Sequence, residues 1–210
     1  MMNKVNFQKE LDKIIEGVDT ARPPRLLLHS CCAPCSSYVL EYLSDYFDIT
    51  VYYFNPNISP KSEFIKRFEE EKRLIFEMKV KNEIKLVEGT YNYEYFLDIA
   101  KGYEDEPEGG ERCFRCYRMR LERAAELAKA EGFDYFCTTL SISPLKNSQK
   151  INEIGYEVAE RYGVKWLPSD FKKREGFKRS IELSKEHNLY RQNFCGCVYS
   201  KAAEENKNEK

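Results

Sequence analysis

Apolar runs alternate with amphipathic stretches along this chain. The pattern predicts an α/β fold, a Rossmann-like three-layer sandwich around a mainly parallel sheet of about five strands. Three observations carry that expectation. Short runs rich in aliphatic and aromatic residues recur, and most are followed by a segment of helical spacing. At 210 residues the chain suits a single domain. No repeat or low-complexity tract interrupts the alternation.

The elements follow in order. Arg25–His29 (RLLLH) reads as a short buried strand, and Pro34–Leu43 as the helix after it. Ile49–Phe54 (ITVYYF) is β-branched and aromatic, and it stops at the turn signal Asn55-Pro56-Asn57. Ser62 is placed to cap a long helix reaching about Met78, with Phe64, Ile65, Phe68, Ile75 and Phe76 at broadly helical spacing. Ile84–Val87 is a third strand, and Tyr93–Ala100 a helix. The acidic segment Gly102–Gly110 reads as a loop leading into a helix from about Arg112 to Glu131, closed by Gly132. Tyr135–Thr139 is a fourth strand, Asn152–Tyr162 a helix, Val164–Leu167 a fifth strand and Phe177–Glu186 the last helix. The expected organisation is an N-terminal helical extension over 1–24, one α/β domain over 25–200 and a polar tail over 201–210.

Hydrophobic residues at 42% with 33% charged describe a globular protein. No run approaches the roughly 18 apolar residues a membrane span requires, and the first 20 residues lack an apolar signal region. A cytoplasmic protein is expected. Its net charge is −1, but residues 1–110 balance at −6 and residues 111–200 at +5. Read as a patch, the second half offers a basic face to an anionic partner such as RNA; read blandly, it is a set of solvated helix faces.

Seven of the eight cysteines fall in three tight groups: Cys31-Cys32-x-x-Cys35, Cys113-x-x-Cys116 and Cys195-x-Cys197. Only Cys137 stands alone, inside a strand, and it reads as inert core. A chain of this length needs no disulfide staples, which leaves metal ligation, redox chemistry or both. Cys31 and Cys32 directly follow the first strand. With strand order 3-2-1-4-5 they would face the crevice at the topological switch point, roofed by the turn Thr138–Pro144. Cys113 and Cys116 lie one helical turn apart near a helix N-terminus, which favours anionic sulfur. Two metal readings fit this spacing. A structural zinc site accepts Cys32/Cys35 with Cys113/Cys116, and a [4Fe–4S] cluster accepts four thiolates from the same groups. Spacing alone leaves both open. Cys195-Gly196-Cys197 is a different object: a dithiol that closes into a disulfide only in a cramped ring, or that chelates a metal through both sulfurs.

The segments HSCCAPCSSYVLEYL from His29, ERCFRCYRMRLERAA from Glu111, TTLSISPLKN from Thr138 and YRQNFCGCVYS from Tyr190 together resemble the QueH-type epoxyqueuosine reductases. The likeness runs in order from about residue 25 to residue 200. It implies a HUP-type α/β fold and a tRNA-modifying enzyme that removes the epoxide oxygen of epoxyqueuosine. It further implies a [4Fe–4S] cluster on Cys31, Cys32, Cys113 and Cys116, and a redox-active Cys195/Cys197 pair. Reducing an epoxide to an alkene takes two electrons and two protons. The pair would therefore store an electron or hold a second, mononuclear iron, with Cys35 as a further ligand. An electron donor outside the chain is required, and the sequence does not identify it. Tyr117, Tyr199 and Asp170 are candidate proton donors, while His29 reads as packed at its strand end.

Two other functions compete. A PP-loop tRNA thiolase would share the fold and the C-x-x-C pairs, but it needs a pyrophosphate-gripping glycine loop where this chain has His29-Ser30-Cys31-Cys32. The other is a zinc-stabilised, non-enzymatic RNA-binding module. For tRNA contact, Lys172, Lys173, Arg174, Lys178 and Arg179 crowd around Phe177, and Arg112, Arg115, Arg118 and Arg123 could extend the patch. Recognition of an anticodon loop would add base stacking on aromatic side chains.

Overall fold

The computed structural model describes residues 5–201, so residues 202–210 of the expected polar tail lie outside the described residues. Five strands form one parallel sheet: β1 (Arg25–His29), β2 (Asp48–Tyr53), β3 (Lys85–Glu88), β4 (Tyr135–Thr138) and β5 (Lys165–Trp166). Their order is β3-β2-β1-β4-β5, with the switch point between β1 and β4. β1 is central and apolar on both faces because both are covered. Leu27 faces one layer, and Leu26 and Leu28 face the other.

The first layer is α4 (Tyr93–Ala100), α5 (Glu111–Ala130) and α6 (Ser148–Tyr162). Their Phe96, Met119, Leu121 and Ile151 pack with Leu27 and Phe136 of the sheet. The second layer holds α1 (Phe7–Glu16), α2 (Ala33–Leu43) and α3 (Lys61–Glu77), and α7 (Gly176–Glu186) packs on α2. Leu11, Val39, Leu40 and Leu43 close on Leu26, Leu28 and Val51. Among the described residues no helix is long and apolar enough to cross a membrane.

Boundaries move where side chains intervene. Thr138 accepts a hydrogen bond from Leu140 N and turns the chain into a 3-10 turn over Thr139–Ile142, which ends β4 one residue early. Asn147 caps α6 through Lys150 N, starting it four residues before the expected Asn152. Pro60, not Ser62, precedes α3. Gly163 closes α6 at φ 67°, a left-handed conformation that glycine adopts without strain.

Candidate metal centre

At the carboxyl end of β1 the chain leaves the sheet through Ser30 and Cys31, and Cys32 takes the position before α2. Pro34 opens that helix with its φ already set, and Cys35 completes the first turn. The turn folds Cys35 back on its neighbours, so the sulfurs of Cys31, Cys32 and Cys35 all lie within 4.8 Å of one another. Cys31 Sγ stands 3.8 Å from Cys32 Sγ and 3.8 Å from Thr139 Oγ1, and Gln192 Nε2 donates to Cys32 Sγ at 2.9 Å. Hydrogen bonds from Cys32 and Cys35 hold Cys31 well below the usual thiol range, and the same contacts push Cys35 well above it.

Two serines flank this nest of three sulfurs. Ser30 Oγ and Ser36 Oγ are 2.9 Å apart, and Ser36 also donates to the carboxylate of Glu71 at 2.6 and 2.8 Å. Glu71 is fully buried with no cation beside it, and burial raises its pKa to about 7. Four residues earlier on the same face of α3, Arg67 bonds Glu63 at 2.7 Å and donates to Cys195 O at 3.1 Å.

Four of the remaining five cysteines meet elsewhere. Cys113 and Cys116, on the first turns of α5, line a small cavity of about 20 Å³ together with Cys195 and Cys197. Gly109 N donates to Cys113 Sγ at 3.3 Å, and burial raises Cys113 and pushes Cys116 up to about 12. Cys195 Sγ also faces a larger cleft of about 170 Å³ walled by Cys31, Cys32, Cys35, Arg67, Arg120 and Lys146. Lys146 Nζ approaches Cys195 Sγ at 3.3 Å. Cys195 therefore stands between the two cysteine groups.

Of the two forms open to the Cys195/Cys197 pair, the disulfide is not formed: all eight cysteines are free thiols. Gly196 at φ 111° turns the two sulfurs to different partners, Cys195 to Lys146 and Cys197 to the backbone N of Ser200 at 3.4 Å. His29 is packed as expected, between Thr138 Oγ1 at 2.8 Å and Phe54 O at 3.0 Å, with burial holding its pKa down at about 3. Cys137 is enclosed and bonds Leu167 O at 3.2 Å. Of the suggested proton donors, only Tyr117 lines the cysteine cavities. Asp170 pairs with Lys172, and Tyr199 packs under Arg112.

The basic run 172–179 is brought to the cleft through Phe177, but most of its charge is paired within the protein. Lys172 pairs with Asp170 at 3.0 Å and ties down Ser141 O, and Arg174 pairs with Asp12 of α1 at 2.5 Å. Lys178 pairs with Glu175 at 3.2 Å, and Arg179 with Glu41 and Glu186 at 2.7 Å each. Lys173 is exposed. Arg112 is buried in carbonyls of the 102–110 loop, Arg115 bonds Tyr103, and Arg118 and Arg123 pair with Glu157 and Glu126. Sequence reasoning missed Arg67, Glu71, Arg120, Lys146 and Gln192. The first three had a signal: Arg67 and Glu71 repeat at core spacing with Phe64 and Leu74, and Arg120 with Cys113 and Cys116.

Comparison with known proteins settles the family. The sequence model described as Epoxyqueuosine reductase QueH matches residues 26–203. The chain belongs to this family. Its curated relatives include Epoxyqueuosine reductase QueH of Staphylococcus epidermidis, 46% identical over 94% of this chain and 85% of that protein. The counterpart in Thermotoga maritima is 38% identical over 83% of this chain and 89% of its own length. Among solved structures, U34-tRNA thiolase NcsA from Methanococcus maripaludis with its [4Fe-4S] cluster matches at TM-score 0.51 and 14% identity. That match covers 92% of this chain and 67% of the thiolase. The likeness to the thiolase is one of fold.

Proposed function

We propose that this chain reduces epoxyqueuosine in tRNA to queuosine, at a metal centre seated on the Cys31/Cys32/Cys35 nest. The observation that carries the reading is the nest itself, three sulfurs within 4.8 Å at the carboxyl end of the central strand, in a chain of the epoxyqueuosine reductase family. The nest supplies three of the four cysteine thiolates that a [4Fe–4S] cluster takes, leaving one iron open to another ligand. The buried Nη2 atoms of Arg67 and Arg120 have no hydrogen-bond partner, as expected beside a site built for anionic sulfur. The similarly folded thiolase, itself solved with such a cluster, adds support.

In this reading Cys31, Cys32 and Cys35 supply three thiolates. This set differs from the one the family resemblance implied, Cys31, Cys32, Cys113 and Cys116. Cys113, Cys116, Cys195 and Cys197 surround a cavity of one-ion size and supply four thiolates to a mononuclear iron. The bound metals supply one-electron transfer and Lewis acidity toward oxygen. The protein's own residues do the rest. Gln192 donates to Cys32 and holds its orientation, and Lys146 and Arg67 bring positive charge to the cleft where oxygen leaves. The net change is an epoxide plus two electrons and two protons giving an alkene and water, with the electrons drawn from a donor outside the chain. Exposed Lys173 is offered to tRNA phosphate.

Anaerobically purified protein is tested by iron and sulfide analysis and by nucleoside mass spectrometry of epoxyqueuosine tRNA after incubation with a low-potential reductant. The expected outcome is about five irons per chain and conversion to queuosine. Colourless protein holding only zinc, or iron-loaded protein that leaves the epoxide intact, refutes the reading.

A further inference from the structure

Arg120 lies on α5 one turn beyond Cys116, and its side chain is 1% exposed. Its Nε donates to Cys116 O at 3.2 Å and its Nη1 to Asn55 Oδ1 at 3.5 Å, while Nη2 has no partner. None of these acceptors is a carboxylate. The other guanidiniums buried in the site region differ: Arg67 has Glu63 at 2.7 Å, and Arg112 is wrapped by carbonyls of the acidic 102–110 loop. A permanently charged group buried without a counter-charge is strongly disfavoured, and arginine cannot escape by losing its proton.

What faces Arg120 is sulfur. It walls both the cleft beside Cys31, Cys32 and Cys35 and the cavity of Cys113, Cys116, Cys195 and Cys197. Burial opposes its charge, yet its proton is held more firmly than an ordinary arginine's because the sulfurs of Cys116, Cys195 and Cys31 lie around it. We infer that Arg120 is the fixed counter-cation shared by the two cysteine groups, a positioning residue that sets the potential at which they accept electrons. The inference rests on the proposal that these groups hold iron. A fixed positive charge favours the more negative, reduced form of a neighbouring centre, and a neutral side chain in its place makes reduction harder.

The test is a redox titration of the iron-loaded full chain, followed by electron paramagnetic resonance, on wild type, Arg120→Lys, Arg120→Met and Arg120→Gln. Arg120→Lys keeps the charge and is expected to titrate with the wild type. Arg120→Met and Arg120→Gln are expected to weaken reduction at least tenfold, a fall of about 59 mV for one electron. A neutral variant that holds iron at the wild-type potential overturns the inference, as does a Lys variant that shifts as far as the neutral ones. Should both neutral variants fail to retain iron while Arg120→Lys retains it, charge is required and the inference stands. Loss of iron from all three shows that shape matters and charge does not. A wild type that holds no iron refutes the proposed function itself, a result distinct from an iron-loaded wild type whose neutral variants titrate like it.

Discussion

Replacing Glu71 by Gln is expected to make the protein more stable at high pH than at low pH, relative to the wild type. Glu71 is 0% exposed and is met by the hydroxyls of Ser30 and Ser36, with no cation in contact, so burial lifts its pKa from 4.5 to about 7. The folded state therefore binds the proton more tightly than the unfolded chain. Stability from this group is complete below about pH 4.5 and is lost as pH rises through about 7. A shift of that size is worth about 3 kcal/mol at most, and about 2 kcal/mol of it falls between roughly pH 5.5 and pH 8. Gln cannot titrate and carries none of it. Urea unfolding of reduced, iron-free wild type and Glu71→Gln at the two pH values measures the difference, since the other titrating groups cancel between them. Any misfit of the amide appears equally at both. If the stability gap between variant and wild type is the same at both pH values, Glu71 is not a buried, titrating carboxyl.

Three further outcomes are expected. Cys35→Ser should strip most of the iron and sulfide, whereas Cys197→Ser should cost about one iron and leave the sulfide in place, by elemental analysis; if Cys35→Ser keeps its sulfide, the nest is not the cluster site. Gly155→Ala should destabilise by about 1–3 kcal/mol in denaturant unfolding, because a Cβ there would stand 2.3 Å from Cε2 of the buried Trp166 ring; an unchanged midpoint would mean that α6 has room to move off β5. Lys173→Ala should weaken tRNA binding and reduce its salt dependence by close to one unit of log–log slope, whereas Lys178→Ala, removing a cation already paired with Glu175, should change it less. Equal slopes for both variants would return the whole run to a solvated helix face.

The sheet was legible because its signals are local. Leu26-Leu27-Leu28 announces a strand covered on both faces, and Pro34 after Cys32 announces where the helix begins. The alternation of strands and helices implied parallel βαβ units, and the observed order β3-β2-β1-β4-β5 is the one under which Cys31 and Cys32 face the switch point. The grouping of the cysteines was less legible. The first turn of α2 returns Cys35 to Cys31 and Cys32, and Cys113 and Cys116 line a cavity with Cys195 and Cys197, a juxtaposition that no spacing within one segment announces. Spacing within a segment reports which side chains share a face. It does not report which face of another segment lies opposite.

The charged residues make the same point in both directions. The run from Lys172 to Arg179 has high local charge density, but its partners Asp12 and Glu41 are more than a hundred residues away in sequence and cannot be seen in a window. What reads as a patch is largely a set of clamps that fasten α7 to α2 and its preceding loop to α1. Arg67, Glu71 and Arg120 look like ordinary polar positions of amphipathic helices. Yet Phe64, Arg67, Glu71 and Leu74 repeat with intervals of three, four and three residues, the interval of a buried face, so two charges stand where apolar residues belong. A charge at a core position is rarely retained for stability, because a hydrophobic residue of similar size is often as good or better there. Its presence points to something nearby that needs the charge. In this chain, Arg67 and Arg120 both wall the sulfur-lined cleft.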